Sequence, residues 1–299
     1  MVELIILGTV GIDSIKTPFG VAEEVLGGSA VYSALAASFF LDVGIVSIIG
    51  EDFPKEHITL LKKRGINTEG LQVKGTTFRW KGEYEYDMNE AKTIATEINC
   101  LSEFKPELPE KYKKAKYCFL ANTDPELQIS ILKQLKKPRL VVLDTMNYWI
   151  QTKRDRVIEA IGMCDILVVN DAEARQLFET VNLVDAAKKG RKMGVKTMVI
   201  KKGEHGALLF SNGRFFFAPG FPLEIIKDPT GCGDSFAGAF IGYLGKCKDI
   251  DESSMRKGII YGSTVASFNA EDFSLNKLKV ISMMDIEKRY NEFEEIVKF

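Results

Sequence analysis

Residues 228–240 read Asp228-Pro229-Thr230-Gly231-Cys232-Gly233-Asp234-Ser235-Phe236-Ala237-Gly238-Ala239-Phe240, a glycine-rich loop that runs into an apolar segment of helical spacing. Glycines at 231 and 233 let backbone N–H groups face a ligand that a Cβ would obstruct. A helix opening near Gly233 adds unpaired N–H donors and about half a positive charge at its N-terminus, a setting that favours an anion such as phosphate. Asp234 stands at the same helix start, where a carboxylate would only repel a phosphate. It makes sense as a base. A substrate hydroxyl between Asp234 and a phosphoryl group held by the loop would lose its proton to the carboxylate as its oxygen attacks phosphorus. Asp and Gly before a helix are also ordinary capping residues, so the short pattern alone supports either reading.

The full run Asp-Pro-Thr-Gly-x-Gly-Asp-Ser-Phe-x-Gly-Ala resembles the C-terminal signature of the ribokinase/PfkB family of sugar and nucleoside kinases. The resemblance implies a ribokinase-like three-layer α/β/α sandwich with a mostly parallel central sheet and a small β-sheet lid. It also implies ATP-dependent transfer of a phosphoryl group to a hydroxyl of a sugar, nucleoside or related metabolite. Asp234 would be the base, with Gly231, Cys232 and Gly233 as the anion hole; Cys232 stands where the family usually has Ala. In some members a monovalent cation such as K+ sits beside the equivalents of Asp228 and Thr230, which makes Asp228 a candidate metal residue.

Other segments extend the resemblance. Gly27-Gly28-Ser29-Ala30-Val31-Tyr32 reads as a tight turn, a capping Ser and a small-residue helix, and is similar to the family's N-terminal signature. Gly27, Gly28, Ser29 and Tyr32 are therefore expected beside the substrate, Tyr32 taking the place of an Asn that many members carry. Asp13 lies in the loop after the apolar run 2–7; in the family an acid there holds substrate hydroxyls, while by itself it reads as a turn residue. Asn170-Asp171-Ala172-Glu173 opens a helix directly after a strand, with Asn170 and Glu173 on one face. The run resembles the family's N-x-x-E motif, in which the acid helps place hydrated Mg2+ and the Asn lies near the nucleotide phosphates. An Asn cap with Glu three residues on is equally a capping box. In Lys201-Lys202-Gly203-Glu204-His205-Gly206 the resemblance puts Gly203, with Lys202 beside it, next to the nucleotide. Gly262 and Ser263 fall where the family packs adenine against small residues, although small residues also allow close helix packing.

Composition narrows the partners. Forty basic and forty-one acidic residues give a net charge of -1, and no basic block suggests a nucleic-acid or anionic-membrane footprint. Five scattered cysteines without a CxxC pair support neither a disulfide framework nor a zinc site. No apolar run approaches the roughly 20 residues of a membrane span, and the apolar start lacks a basic flank, so a cytoplasmic location is expected.

Over most of the chain, short apolar runs alternate with amphipathic segments, which predicts parallel strands joined by crossover helices. Strands are expected at 2–7, 43–49, 117–121, 140–143, 166–169 and 195–200, and a closing helix at about 283–299. Asp144 ends one such strand, and the loop Thr145-Met146-Asn147-Tyr148-Trp149 that follows it is a candidate pocket wall. From about 71 to 99 the pattern changes to period two, with Phe78, Trp80, Tyr84, Tyr86 and Met88 alternating with charged residues and Gly82 as the turn. By resemblance, residues 12–24 and 71–99 form the lid, which in the family often pairs with a second subunit as a homodimer. No linker or repeat divides the chain, and residues 1–299 are read as one kinase domain. Gly8-Thr9-Val10-Gly11 lacks the GxGxxG spacing of a dinucleotide fold. The competing reading is a non-catalytic metabolite sensor on a kinase-derived fold, against which the intact Asp234 argues.

Overall fold

The computed structural model describes residues 2–298. The chain opens with β1 (Leu4–Leu7), β2 (Gly11–Thr17), β3 (Gly20–Gly27), α1 (Ser29–Ala37), β4 (Val43–Ile49), α2 (Lys55–Lys63) and β5 (Asn67–Val73). The middle holds β6 (Arg79–Glu83), β7 (Lys92–Glu97), β8 (Tyr117–Leu120), α3 (Pro125–Gln134), β9 (Leu140–Asp144), α4 (Asn147–Thr152), α5 (Arg154–Ile161) and β10 (Ile166–Asn170). The last third adds α6 (Asp171–Phe178), α7 (Leu183–Lys192), β11 (Thr197–Lys201), β12 (Ala207–Ser211), β13 (Arg214–Ala218), α8 (Cys232–Lys246), α9 (Glu252–Ala270) and α10 (Met283–Val297). The final residue of the expected closing helix, Phe299, lies outside the described residues.

Nine strands form the central sheet in the order β13-β12-β11-β10-β9-β8-β1-β4-β5, parallel except that β12 pairs antiparallel with both β11 and β13. The strands are apolar on both sides, and period two sorts them into two cores. Leu4 and Ile6 of β1 pack with α1, α8, α9 and α10 through Leu35, Phe240, Ile259 and Ile286. Ile5 and Leu7 pack on the other face with Ile129, Val157, Leu177 and Ala187 from α3 and α5–α7. The three-layer α/β/α expectation is met. No helix among the described residues is long and apolar enough to cross a membrane.

A second sheet, β3-β2-β6-β7, is built from residues 11–27 and 79–97 and is the expected lid. Two details differ from the sequence reading. Residues 71–73 belong to β5, which pairs with β4 at the edge of the central sheet. Gly82 lies within β6, where the register with β7 shifts, and the chain reverses at 84–91 instead. Trp80 explains the glycine: a Cβ on Gly82 would enter its indole ring.

Helix α8 is drawn close to its neighbours by small residues. A Cβ on Gly238 would overlap the Ser33 carbonyl of α1, and one on Gly262 would stand 3.0 Å from both the ring and the carbonyl of Phe236. Gly262 and Ser263, the expected adenine-side residues, are buried where α9 packs on α8. For Gly262 the bland reading, close helix packing, is the one the structure shows. Since α8 begins at Cys232, this packing fixes where its N-terminus points. Gly238→Ala is expected to lower stability by about 1–3 kcal/mol through overpacking, read as a drop in the urea midpoint at unchanged slope.

Candidate active site

The C-terminal ends of the parallel strands gather Asp144 (end of β9), Asn170 (end of β10) and Lys201 (end of β11). This edge is where open α/β sheets place ligands. Each is an even number of residues from a side chain in the α8-side core: Val142, Val168 and Val199. Alternation therefore turns all three towards the start of α8.

That start is held as a rigid loop. Asp228, fully buried, accepts the Thr230 N–H on Oδ1 at 2.8 Å and the Ser274 N–H on Oδ2 at 2.9 Å. Asn269 Nδ2 donates to the Thr230 carbonyl at 2.7 Å and to the Cys232 sulfur at 3.4 Å. Gly231 takes a left-handed φ of 75° that only glycine adopts freely, and a Cβ there would strike the Tyr32 ring. The turn so made sends the Cys232 N–H back to the Pro229 carbonyl at 3.1 Å. Cys232 is thus removed from the expected anion hole. The N–H groups of Gly231, Gly233 and Asp234 have no partner among the described residues and carry the positive end of α8.

Asp234 sits in the first turn of α8, and its carboxylate makes no hydrogen bond or ion pair among the described residues. Burial first, and the Asp144 carboxylate second, push it up to about 7, with Lys201 opposing. Lys201 Nζ bonds Asp144 Oδ2 at 2.9 Å and lies 3.0 Å from where a Cβ of Gly233 would stand. Lys202, the lysine expected at the site, is half-exposed in the turn, and its side chain makes no hydrogen bond or ion pair among the described residues. The strand runs one residue further than its apolar pattern suggests, so Lys201 and not Lys202 faces α8. Gly203 is exposed in the turn, where a Cβ would meet Asn89 of the lid.

Asn170 and Glu173 form the complete capping box: Asn170 Oδ1 accepts the Glu173 N–H at 2.8 Å and Glu173 Oε2 accepts the Asn170 N–H at 2.7 Å. Glu173 is nevertheless buried, and desolvation and the Asp144 carboxylate push it up to about 8. Three carboxylates (Asp144, Glu173 and Asp234) thus share one ammonium, an excess of negative charge that a divalent cation would balance. Among the described residues no three His, Cys, Asp or Glu side chains could cage a metal. The oxygen donors fit Mg2+, which keeps several waters and needs few protein ligands.

On the acceptor side, Gly27 and Gly28 let β3 end against Asp13 and the Thr9 carbonyl, where Cβ atoms would overlap. Ser29 is not the cap of α1. Gly28 holds that position, and Ser29 is tied to Thr9, its N–H donating to Oγ1 at 3.0 Å and its Oγ accepting the Thr9 N–H at 3.0 Å. Tyr32 is 1% exposed, and its phenol oxygen has no hydrogen-bond partner among the described residues. Tyr84 descends from the lid, and Thr230 Oγ1 meets its hydroxyl at 3.2 Å. Lys201 and Asn269 were absent from the sequence-derived site, Asp144 entered only beside the candidate pocket wall and Tyr84 only as part of the lid; period two within β9 and β11 is the signal that could have found Asp144 and Lys201.

Chemically, the arrangement offers free N–H donors, a carboxylate beside them and a lid above, which suits phosphoryl transfer to a hydroxyl. The chain is 31% identical over 258 residues to the cytidine kinase of Thermococcus kodakarensis, covering 84% of this chain and 92% of the relative. Its fold matches the nucleoside kinase of Methanocaldococcus jannaschii, an archaeal member of the ribokinase family, with a TM-score of 0.77 at 20% identity over 97% of this chain and 98% of that one. A putative ribokinase II from E. coli, in complex with ATP and Mg2+, gives a TM-score of 0.80 at 16% identity over 98% and 99%. The protein is a phosphotransferase whose acceptor is a hydroxyl group. The family model described as pfkB family carbohydrate kinase matches residues 19–278, and the chain belongs to that family of ATP-dependent sugar and nucleoside kinases.

Asp13 generates a stability prediction. Burial, then Asp228 and Asp234, raise its carboxyl to about 7 against the pull of the Gly28 N–H. A raised carboxyl keeps its proton in the folded state where the unfolded chain releases it, so its stabilising contribution is complete in acid and is lost as pH rises through about 7. Asp13→Asn should therefore melt several degrees above the wild type at pH 8, and in thermal denaturation the gap should narrow as pH falls below about 7 and close only below 3.8, the ordinary carboxyl value that the unfolded chain keeps.

Proposed function

We propose that Asp234 is the general base of an ATP-dependent kinase and that the free N–H groups of Gly231, Gly233 and Asp234 receive the transferring phosphoryl group. The observation that carries this reading is the half-buried Asp234 carboxylate, unpaired among the described residues, on the same helix turn as those donors. The acceptor hydroxyl would sit between Asp13 and Asp234, its oxygen attacking the γ-phosphorus as Asp234 takes its proton. Backbone donors fixed by Asp228, Asn269 and the α8 packing need no reorganisation as charge moves onto the phosphoryl oxygens. Mg2+, placed near Glu173, would neutralise the nucleotide phosphates when bound.

A nucleoside is the acceptor class to test first, since the cytidine kinase above aligns along most of the chain. The phenols of Tyr32 and Tyr84 and the Asp13 carboxyl supply a ring face and a hydroxyl partner for either a base or a sugar. The lid has outer strands β3 and β7, and β7 is exposed along its length, which suits pairing with a second copy. Light scattering is expected to give the dimer mass, and Ile94→Lys on β7 the monomer mass.

ATP consumption with magnesium across nucleosides, sugars and sugar phosphates tests the kinase reading directly. Turnover is expected on one class, and Asp234→Asn should lose a hundred- to ten-thousand-fold of kcat while nucleotide affinity stays. Because the base must be ionised, kcat/KM should rise with pH through about 7 rather than 4. Near-normal turnover by the Asn variant would sink the assignment.

A further inference from the structure

We propose that Lys201 is a catalytic residue that contacts the transferring phosphoryl group, and that Asp144 is the positioning residue that holds it there; the inference rests on the kinase reading above. Lys201 leaves the end of β11 and reaches Asp144 at the end of β9, two strands away, so its side chain crosses in front of the end of β10. The ammonium thereby lies in the crevice outside the strand ends. It is also the nearest atom to the open side of Gly233, at 3.0 Å from where a Cβ would stand, beside two of the free N–H groups of α8.

The hydrogen bonding of the ammonium leaves capacity for a ligand. Of its three donors, one goes to Asp144 Oδ2 at 2.9 Å, and no second acceptor is in reach among the described residues. The side chains of the pair are only 17% and 5% exposed. A buried ion pair is a poor device for stability, because desolvation offsets most of the attraction and apolar residues of similar size serve as well. Asp144 also accepts the Thr145 N–H on Oδ1 at 2.7 Å, so the carboxylate is fixed in place, and a lysine held by it at the N-terminal turn of α8 suits a task at that turn. Among the described residues, Lys201 is the basic side chain whose charge acts on both Asp234 and Glu173.

In the transfer step the acceptor oxygen forms the new bond to the γ-phosphorus, and the bond from phosphorus to the β,γ-bridging oxygen breaks. ADP leaves with that electron pair, and the acceptor proton passes to Asp234. Lys201 gains and loses no bond. Its two free donors bind the phosphoryl oxygens while negative charge is spread over them, next to the backbone donors of Gly233 and Asp234. Asp144 accepts the third N–H and fixes the reach of the side chain.

The test is steady-state kinetics on the wild type's own acceptor for Lys201→Met, Lys201→Arg, Asp144→Asn and the double variant Lys201→Met/Asp144→Met, with melting curves for each. Lys201→Met is expected to lose on the order of 10²-fold or more in kcat with acceptor KM nearly unchanged. Lys201→Arg should recover part of that loss, and Asp144→Asn should fall by about tenfold, since the cation remains but is no longer held. The double variant, with both charges gone and apolar packing restored, should melt like the wild type and stay as inactive as Lys201→Met. Recovery of activity in the double variant, or near-wild-type kcat in Lys201→Met, would show a merely structural pair and overturn the proposal while leaving the kinase reading intact. A wild type silent on every acceptor would overturn both.

Discussion

The close approach of α8 to α1 and α9 is the contact on which the site depends. Gly238 against Ser33 and Gly262 against Phe236 bring helix backbones to a distance that side chains would prevent. A helix held this tightly cannot slide or tilt without overlap. Its first turn is therefore aimed at one place, the edge of the sheet where β9, β10 and β11 end. The loop before α8 inherits the same rigidity through Asp228, Asn269 and the left-handed Gly231.

Charge follows from that geometry. The edge of a parallel sheet offers little water, yet four ionisable side chains (Asp144, Glu173, Lys201 and Asp234) converge on it. Burial disfavours each charge separately. Three acids around one base are tolerable because the α8 N-terminus contributes partial positive charge, because Glu173 is held by the Asn170 backbone, and because a nucleotide's magnesium would complete the balance.

The lid adds a second constraint. Tyr84 meets Thr230 on the catalytic loop and Asn89 stands over Gly203, so one short connection touches both the acceptor side and the far side of the crevice. The unpartnered Tyr32 phenol beneath it is a buried polar group with capacity for a hydrogen bond.

Much of this was legible in the residues. Period-two and helical patterning give the alternation of layers, because a strand buried on both sides must be apolar throughout; the 228–240 run points to Asp234 and to glycine amides beside it, because glycine frees the backbone there. Whether small residues such as Gly262 line a ligand or another helix, and whether Asn170 and Glu173 close a cap, are questions of what lies opposite them, and opposite neighbours come from distant sequence. The turn that withdraws the Cys232 N–H depends on a left-handed Gly231, and the choice of Lys201 over Lys202 depends on where β11 stops pairing with β10. The sequence by itself determined the layered α/β fold, the family and Asp234. Only the tertiary structure decided which cation, which amides and which lid tyrosine meet that carboxylate, since those contacts are made between chain segments whose separation no local pattern encodes.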